Sequence, residues 1–177
     1  TMGCRIERAQ LTSGLLLELI RPPLPTPSVL DAVLDVMDLQ MTYRARYLAA
    51  IHPAPVFDLL LVDESNPRSL LYQLRELQSL VELLTNDGHK IGLTNAQKIL
   101  SDALHRLQMV NLRGKLPENL DSANLSTSAF GHESDVTLSD LLKYQQDSMQ
   151  ALSASLSRKY LVHSGVPRRI QDESTLP

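Results

Sequence analysis

Six stripes of apolar residues at helical period, cut apart by proline-rich and Asn-Gly breaks, constrain this chain more than any other feature. The first covers Gly3 to Ile20. Ile6, Ala9, Leu16, Leu17 and Ile20 share one side there, and Leu15 and Leu19 widen the apolar surface toward a second, the pattern of a buried helix. Arg21-Pro22-Pro23-Leu24-Pro25-Thr26-Pro27 stops it, because four prolines in six residues cannot extend a helix. Ser28 followed by Asp31 resembles a capping box and opens a second helix to about Ile51. Its stripe is Leu30, Leu34, Met37, Met41, Leu48 and Ile51, beside a second line of Val29, Val33, Val36, Tyr43, Tyr47 and Ala50.

After His52-Pro53-Ala54-Pro55 comes a short apolar helix, Val56 to Val62, and then the break Asp63-Glu64-Ser65-Asn66-Pro67-Arg68-Ser69. Asn66 suits an N-cap and Pro67 a first helical position. Leu70, Leu74, Leu77, Val81 and Leu84 make the fourth helix, ended by Asn86-Asp87-Gly88. Thr94 caps a fifth, to about Leu112, with Ala96, Leu100, Leu104 and Leu107 inward. Residues 114–133 lack periodicity and are expected to form a mobile loop. Thr137 with Asp140 opens the last helix, striped by Leu138, Leu142, Met149, Leu152, Leu156 and Tyr160. The chain after His163 is expected to be a flexible tail over 164–177. With no alternating strand pattern, the expectation is all-α: an antiparallel bundle of about six helices over residues 1–163.

Composition narrows the function classes. Aromatic residues are 4% of the 177, so the core is aliphatic. The net charge of −3, without a basic stripe, argues against a nucleic-acid surface. No apolar run reaches membrane-spanning length and no signal segment opens the chain. A single cysteine, Cys4, excludes an internal disulfide framework and fits a reducing, cytoplasmic setting, where a buried small thiol is the expectation.

The chemistry-bearing residues are few. Arg44 falls three past Met41 and four before Leu48, at a core-facing position of the second helix. A guanidinium there needs a carboxylate, with Glu7 the first candidate and Asp63 the second. Glu7 and Arg8 are adjacent on the first helix, so they point about 100° apart and each must pair elsewhere. Tyr43 and Tyr47 sit one turn apart on one face, and Arg46 is expected in solvent near Asp35 and Thr42. Asp63, Glu64 and Arg68 flank the Asn-Pro turn. Paired carboxylates can do acid–base work, but acidic residues ahead of a helix ordinarily serve its start. The five histidines lack ligand spacing and no Gly-rich phosphate loop is present, so neither a metal nor a nucleotide cofactor is expected.

Three strings carry a resemblance: Arg5-Ile6-Glu7-Arg8-Ala9, Met41-Thr42-Tyr43-Arg44-Ala45-Arg46-Tyr47, and Leu59-Leu60-Leu61-Val62-Asp63-Glu64-Ser65-Asn66-Pro67-Arg68-Ser69. In this order they resemble the alpha-E domain, a bacterial all-helical domain named for its Glu-Arg motif. Ser157-Arg158-Lys159-Tyr160 with His163 resembles its closing helix. The resemblance implies two similar helical halves, of which this chain carries the second, as the C-terminal part of a longer protein. It also implies an association with circularly permuted ATP-grasp proteins and transglutaminase-like proteins, in a system that makes or modifies a small peptide. Cys4 departs from the basic residue expected beside the motif.

Three functions follow as expectations. The leading one is a non-catalytic helical partner of an ATP-grasp ligase, binding the ligase or its peptide through Glu7, Arg8, Tyr43, Arg44, Tyr47, Asp63 and Arg68. The second is a peptide-modifying enzyme site built on Glu7, Arg8, Tyr43 and Arg44. The third is a structural bundle that forms homo-oligomers. A partner should present an open patch, whereas an enzyme should converge those side chains in one concave site.

Overall fold

The computed structural model of the chain describes residues 1–23, 25–48, 50–85, 93–109 and 137–160. Among these it is helical without strands: α1 (Met2–Leu19), α2 (Pro27–Val36), α3 (Gln40–Tyr47), α4 (Pro53–Leu61), α5 (Leu70–Thr85), α6 (Asn95–Gln108) and α7 (Leu138–Tyr160). The expected loop at 114–133, the tail after His163 and the Asn86-Asp87-Gly88 break lie outside the described residues.

Four helices form the body. α1 packs on α5 and α7, and α6 closes the ring against the same two. Neighbours run antiparallel. Along α1 and into the start of α5, Arg5 meets Glu76 while Thr12 meets Arg68. Along α6 and α7, Asn95 meets Ser155 while Gln145 binds the Ala103 carbonyl. The core is the expected aliphatic one, with Leu16, Leu74, Leu77, Leu100, Leu107, Leu142 and Leu152 fully buried. α2, α3 and α4 form a smaller unit that packs on itself and reaches the body through α4 against α5. No helix among the described residues is long and apolar enough to cross a membrane.

Two helix starts were legible. Thr94 and Gln97 form a capping box, and Thr137 and Asp140 exchange the same kind of bonds at α7. Two were not. α2 is capped by Thr26, whose hydroxyl accepts from the Val29 N–H with Pro27 at the first helical position, while Asp31 accepts from Gln40 instead of capping. α5 starts behind Ser69, whose hydroxyl accepts from the Tyr72 N–H, and Asn66 is a buried bracket of the preceding turn.

The larger correction is that the helix expected from Ser28 to Ile51 is two helices. α2 ends in a Schellman motif: the Leu39 N–H reaches the Leu34 carbonyl (2.7 Å) and the Asp38 N–H reaches that of Asp35 (2.8 Å). Asp38 takes the left-handed position (φ 52°) that glycine ordinarily fills, and buried Leu34 and Leu39 supply the accompanying apolar contact. The break resets the helical phase. Met41 and Leu48, core members of the expected stripe, are 80% and 91% exposed, and the buried face of α3 is set by Tyr43.

Candidate binding cleft

The break at Asp38 makes one wall of an open cleft of about 650 Å³. A second wall is the face of α1 carrying Arg8, Leu11, Thr12 and Leu15, which the 3.6-residue repeat aligns. The third is Asn66, Pro67 and Arg68, in the turn before α5. Val36, Met37 and Leu39 add apolar surface on the corner side.

The turn is held from several directions. Asn66 donates its amide to the Leu59 carbonyl (2.8 Å) and accepts from the Arg68 N–H (3.0 Å). The Gln73 amide binds the Pro67 carbonyl, the Ser69 hydroxyl donates to the Asp63 carbonyl, and Thr12 donates across from α1 to the Arg68 carbonyl (3.5 Å). So Arg68 projects from fixed backbone. Its guanidinium spans to Asp38 (Nη2 to Oδ2, 3.0 Å), with the two side chains 45% and 87% exposed. A pair this wet contributes little to stability, well below about 1 kcal/mol. Arg8 is exposed and makes no ion pair among the described residues.

The other expected site residues divide between solvent and a separate strut. Arg44 is exposed and makes no ion pair among the described residues; the expected contacts to Glu7 and Asp63 do not form. Glu7 is exposed as well. The reset of phase at Asp38 turns Arg46, not Arg44, toward Asp63, and corrects the expectation that Arg46 stands near Asp35 and Thr42. Arg46 pairs with the buried Asp63 carboxylate and donates to Ser65 Oγ (2.7 Å). Asp63 also accepts from the Ser65 N–H (3.0 Å) and hydroxyl (2.8 Å), so its place is an Asx turn and not a helix start. Burial pushes the Asp63 carboxyl up, but the Ser65 donors and the Arg46 charge outweigh it and hold the group below the ordinary carboxylate range. Glu64 pairs apart from it, with Arg75 (2.7 Å).

The Tyr43 and Tyr47 rings meet at 5.1 Å, tilted by 42°, and do structural work. The Tyr43 hydroxyl accepts from the His52 N–H and donates to the Ala50 carbonyl, both at 3.1 Å, tying down the segment that leaves α3. The Tyr47 hydroxyl donates to Asp58 Oδ2 (2.9 Å). Burial and then the Asp58 carboxylate push its phenol well above the ordinary tyrosine range. On α1 the residue that reaches α5 is Arg5, bound to Glu76 (2.7 Å) and Gln73 (3.3 Å). Cys4, expected buried, is exposed. Among the described residues no three His, Cys, Asp or Glu side chains gather where a metal could sit.

Of the seven expected site residues, then, Arg8 and Arg68 share the cleft, Tyr43, Tyr47 and Asp63 belong to the strut, and Glu7 and Arg44 face solvent. The pattern does not single out the cleft's apolar wall, because Val36 and Met37 fall on the stripes expected of a core, and Leu11, off the stripe of the first helix, resembles any isolated surface leucine.

A family described as a predicted alpha-helical domain with a conserved ER motif, Alpha-E, matches residues 1–161, and the chain belongs to it. Glu7-Arg8 is the sole Glu-Arg dipeptide in the sequence, so it supplies that motif, and its arginine lines the cleft. Uncharacterized proteins of Mycobacterium bovis and Mycobacterium tuberculosis are 29% identical over 126 residues. The match covers 70% of this chain and 13% of theirs, so the chain corresponds to a small part of those relatives. No solved structure matches.

Proposed function

We propose that this chain is a non-catalytic binding module, the accessory domain of an ATP-grasp ligase system that makes or modifies a small peptide. The observation that carries the reading is the cleft: open, walled by leucine, valine and methionine, and furnished with two arginines. Its volume falls within the roughly 300–1,000 Å³ typical of ligand sites. Its polar groups are suited to holding and orienting. Arginine stays charged at any physiological pH and cannot serve as a general base, and the cleft's one carboxylate, Asp38, is engaged by Arg68.

The enzyme alternative required Glu7, Arg8, Tyr43 and Arg44 in one concave site. Glu7 and Arg44 face solvent, and Tyr43 spends its hydroxyl on backbone groups. That dispersal favours the partner reading. The ATP-grasp partner itself comes from the family resemblance.

Titration of the chain with an ATP-grasp protein from the same genome is the test. The expected result is a complex that the double change Arg8→Glu and Arg68→Glu weakens at least tenfold while leaving the melting temperature in place. Mg-ATP turnover by the chain alone, abolished by Glu7→Gln, would overturn the partner reading and restore the enzyme one.

A further inference from the structure

We propose that the cleft captures the free C-terminal end of a peptide whose last residue is apolar, with the terminal carboxylate between Arg8 and Arg68. The inference rests on the binding-module reading and specifies its ligand.

Charge is the first ground. The chain carries −3, yet the cleft's ionic groups are two arginines and one aspartate, a local excess of one positive charge. Arg8 has no acidic partner among the described residues, and Arg68 gives a single nitrogen to Asp38. Donors of the planar fork therefore remain for a carboxylate, the anion that a guanidinium binds in bidentate fashion.

Apolar surface is the second. Leu11 and Val36 are 73% and 80% exposed, and both line the cleft, unlike exposed side chains scattered singly. A ligand of this cleft must meet cations and apolar surface together, on α1 through Arg8 beside Leu11 and at the corner through Val36 and Met37. The last residue of a peptide does both, because its side chain and its carboxylate branch from one carbon. An internal Asp or Glu puts its charge where the apolar group should lie. The fixed backbone under Arg68 limits the ordering that binding requires to the side chains themselves.

A tetrapeptide ending in leucine, titrated by fluorescence anisotropy as the free acid and as the C-terminal amide, tests the proposal. The free acid should bind the wild-type chain at least tenfold more tightly than the amide, as loss of a charge-assisted bond requires. Arg8→Gln should abolish that preference. Leu11→Asp, a change on an exposed position, should abolish binding of the acid while the helical circular dichroism is kept. Equal affinity for acid and amide, or no binding of the acid at millimolar concentration, would overturn the capture of a chain end. The binding-module reading would survive if the ATP-grasp protein still bound through Arg8 and Arg68, so the two can fail separately.

Discussion

Arg46 and Asp63 form the ion pair that joins α3 to the turn before α5, with the aspartate side chain 7% exposed and the arginine side chain 40% exposed. Two Ser65 donors complete the shell of Asp63. Removing the carboxylate orphans three donors, so Asp63→Ala should cost about 2–3 kcal/mol. Arg46→Ala leaves the Ser65 bonds in place and should cost roughly 1–2 kcal/mol, since the guanidinium is part-solvated. Arg44→Ala, two residues away and exposed, should fall within about 0.5 kcal/mol of wild type. Urea unfolding of the three variants checks the order; a larger loss at Arg44 than at Arg46 would contradict the assigned register of α3.

The same pair sets a response to acid. The folded carboxyl of Asp63 lies below its unfolded value of about 3.9. Its contribution to stability is therefore fully present above that unfolded value and is lost as pH falls through the lower folded one. The stability difference between wild type and Asp63→Asn should be constant above about pH 5 and shrink steadily below about pH 4. A difference that grows on acidification would mean the carboxyl is raised on folding.

The helix break gives a test in the backbone. Asp38 and Leu48 both hold left-handed conformations, with φ of 52° and 44°. Leu48 is 91% exposed and ends α3, so Leu48→Gly removes strain without removing packing and should stabilise by about 0.5–1 kcal/mol. Asp38→Ala should destabilise by about 1 kcal/mol, because alanine tolerates this conformation worse than aspartate does. If α2 and α3 were one continuous helix in solution, Asp38→Ala would stabilise instead, alanine being the better helix former.

The break also explains what the sequence could and could not tell. The bundle is legible because α1, α5, α6 and α7 each carry an apolar stripe that burial follows at Ile6, Leu74, Leu104 and Leu152; only at the far ends does it give out, where Leu84 and Tyr160, expected inward, are 45% and 43% exposed. The α2–α3 corner was hidden because its left-handed residue is Asp38 and not glycine, and the Leu30 to Ile51 periodicity continues across it by coincidence. The corner changes the direction of both charges on α3, Arg44 and Arg46. A continuous helix would give Arg44 the role that belongs to Arg46 and would bury Met41 and Leu48, which the corner exposes. Arg8 and Arg68 were legible as candidates, but their common cleft depends on the same corner. Spacing on separate helices carries no information about it.

A partner that docks as proposed engages the cleft between α1, the Asp38 corner and the Arg68 turn. Amide chemical-shift mapping of the labelled chain during titration with the ATP-grasp protein tests this most directly. The largest shifts should fall at Leu11, Thr12, Asp38, Thr42 and Arg68, with Tyr47, Asp58 and Asp63 little changed. Shifts centred on Tyr47 and Asp63, with Leu11 and Arg68 unmoved, would contradict it.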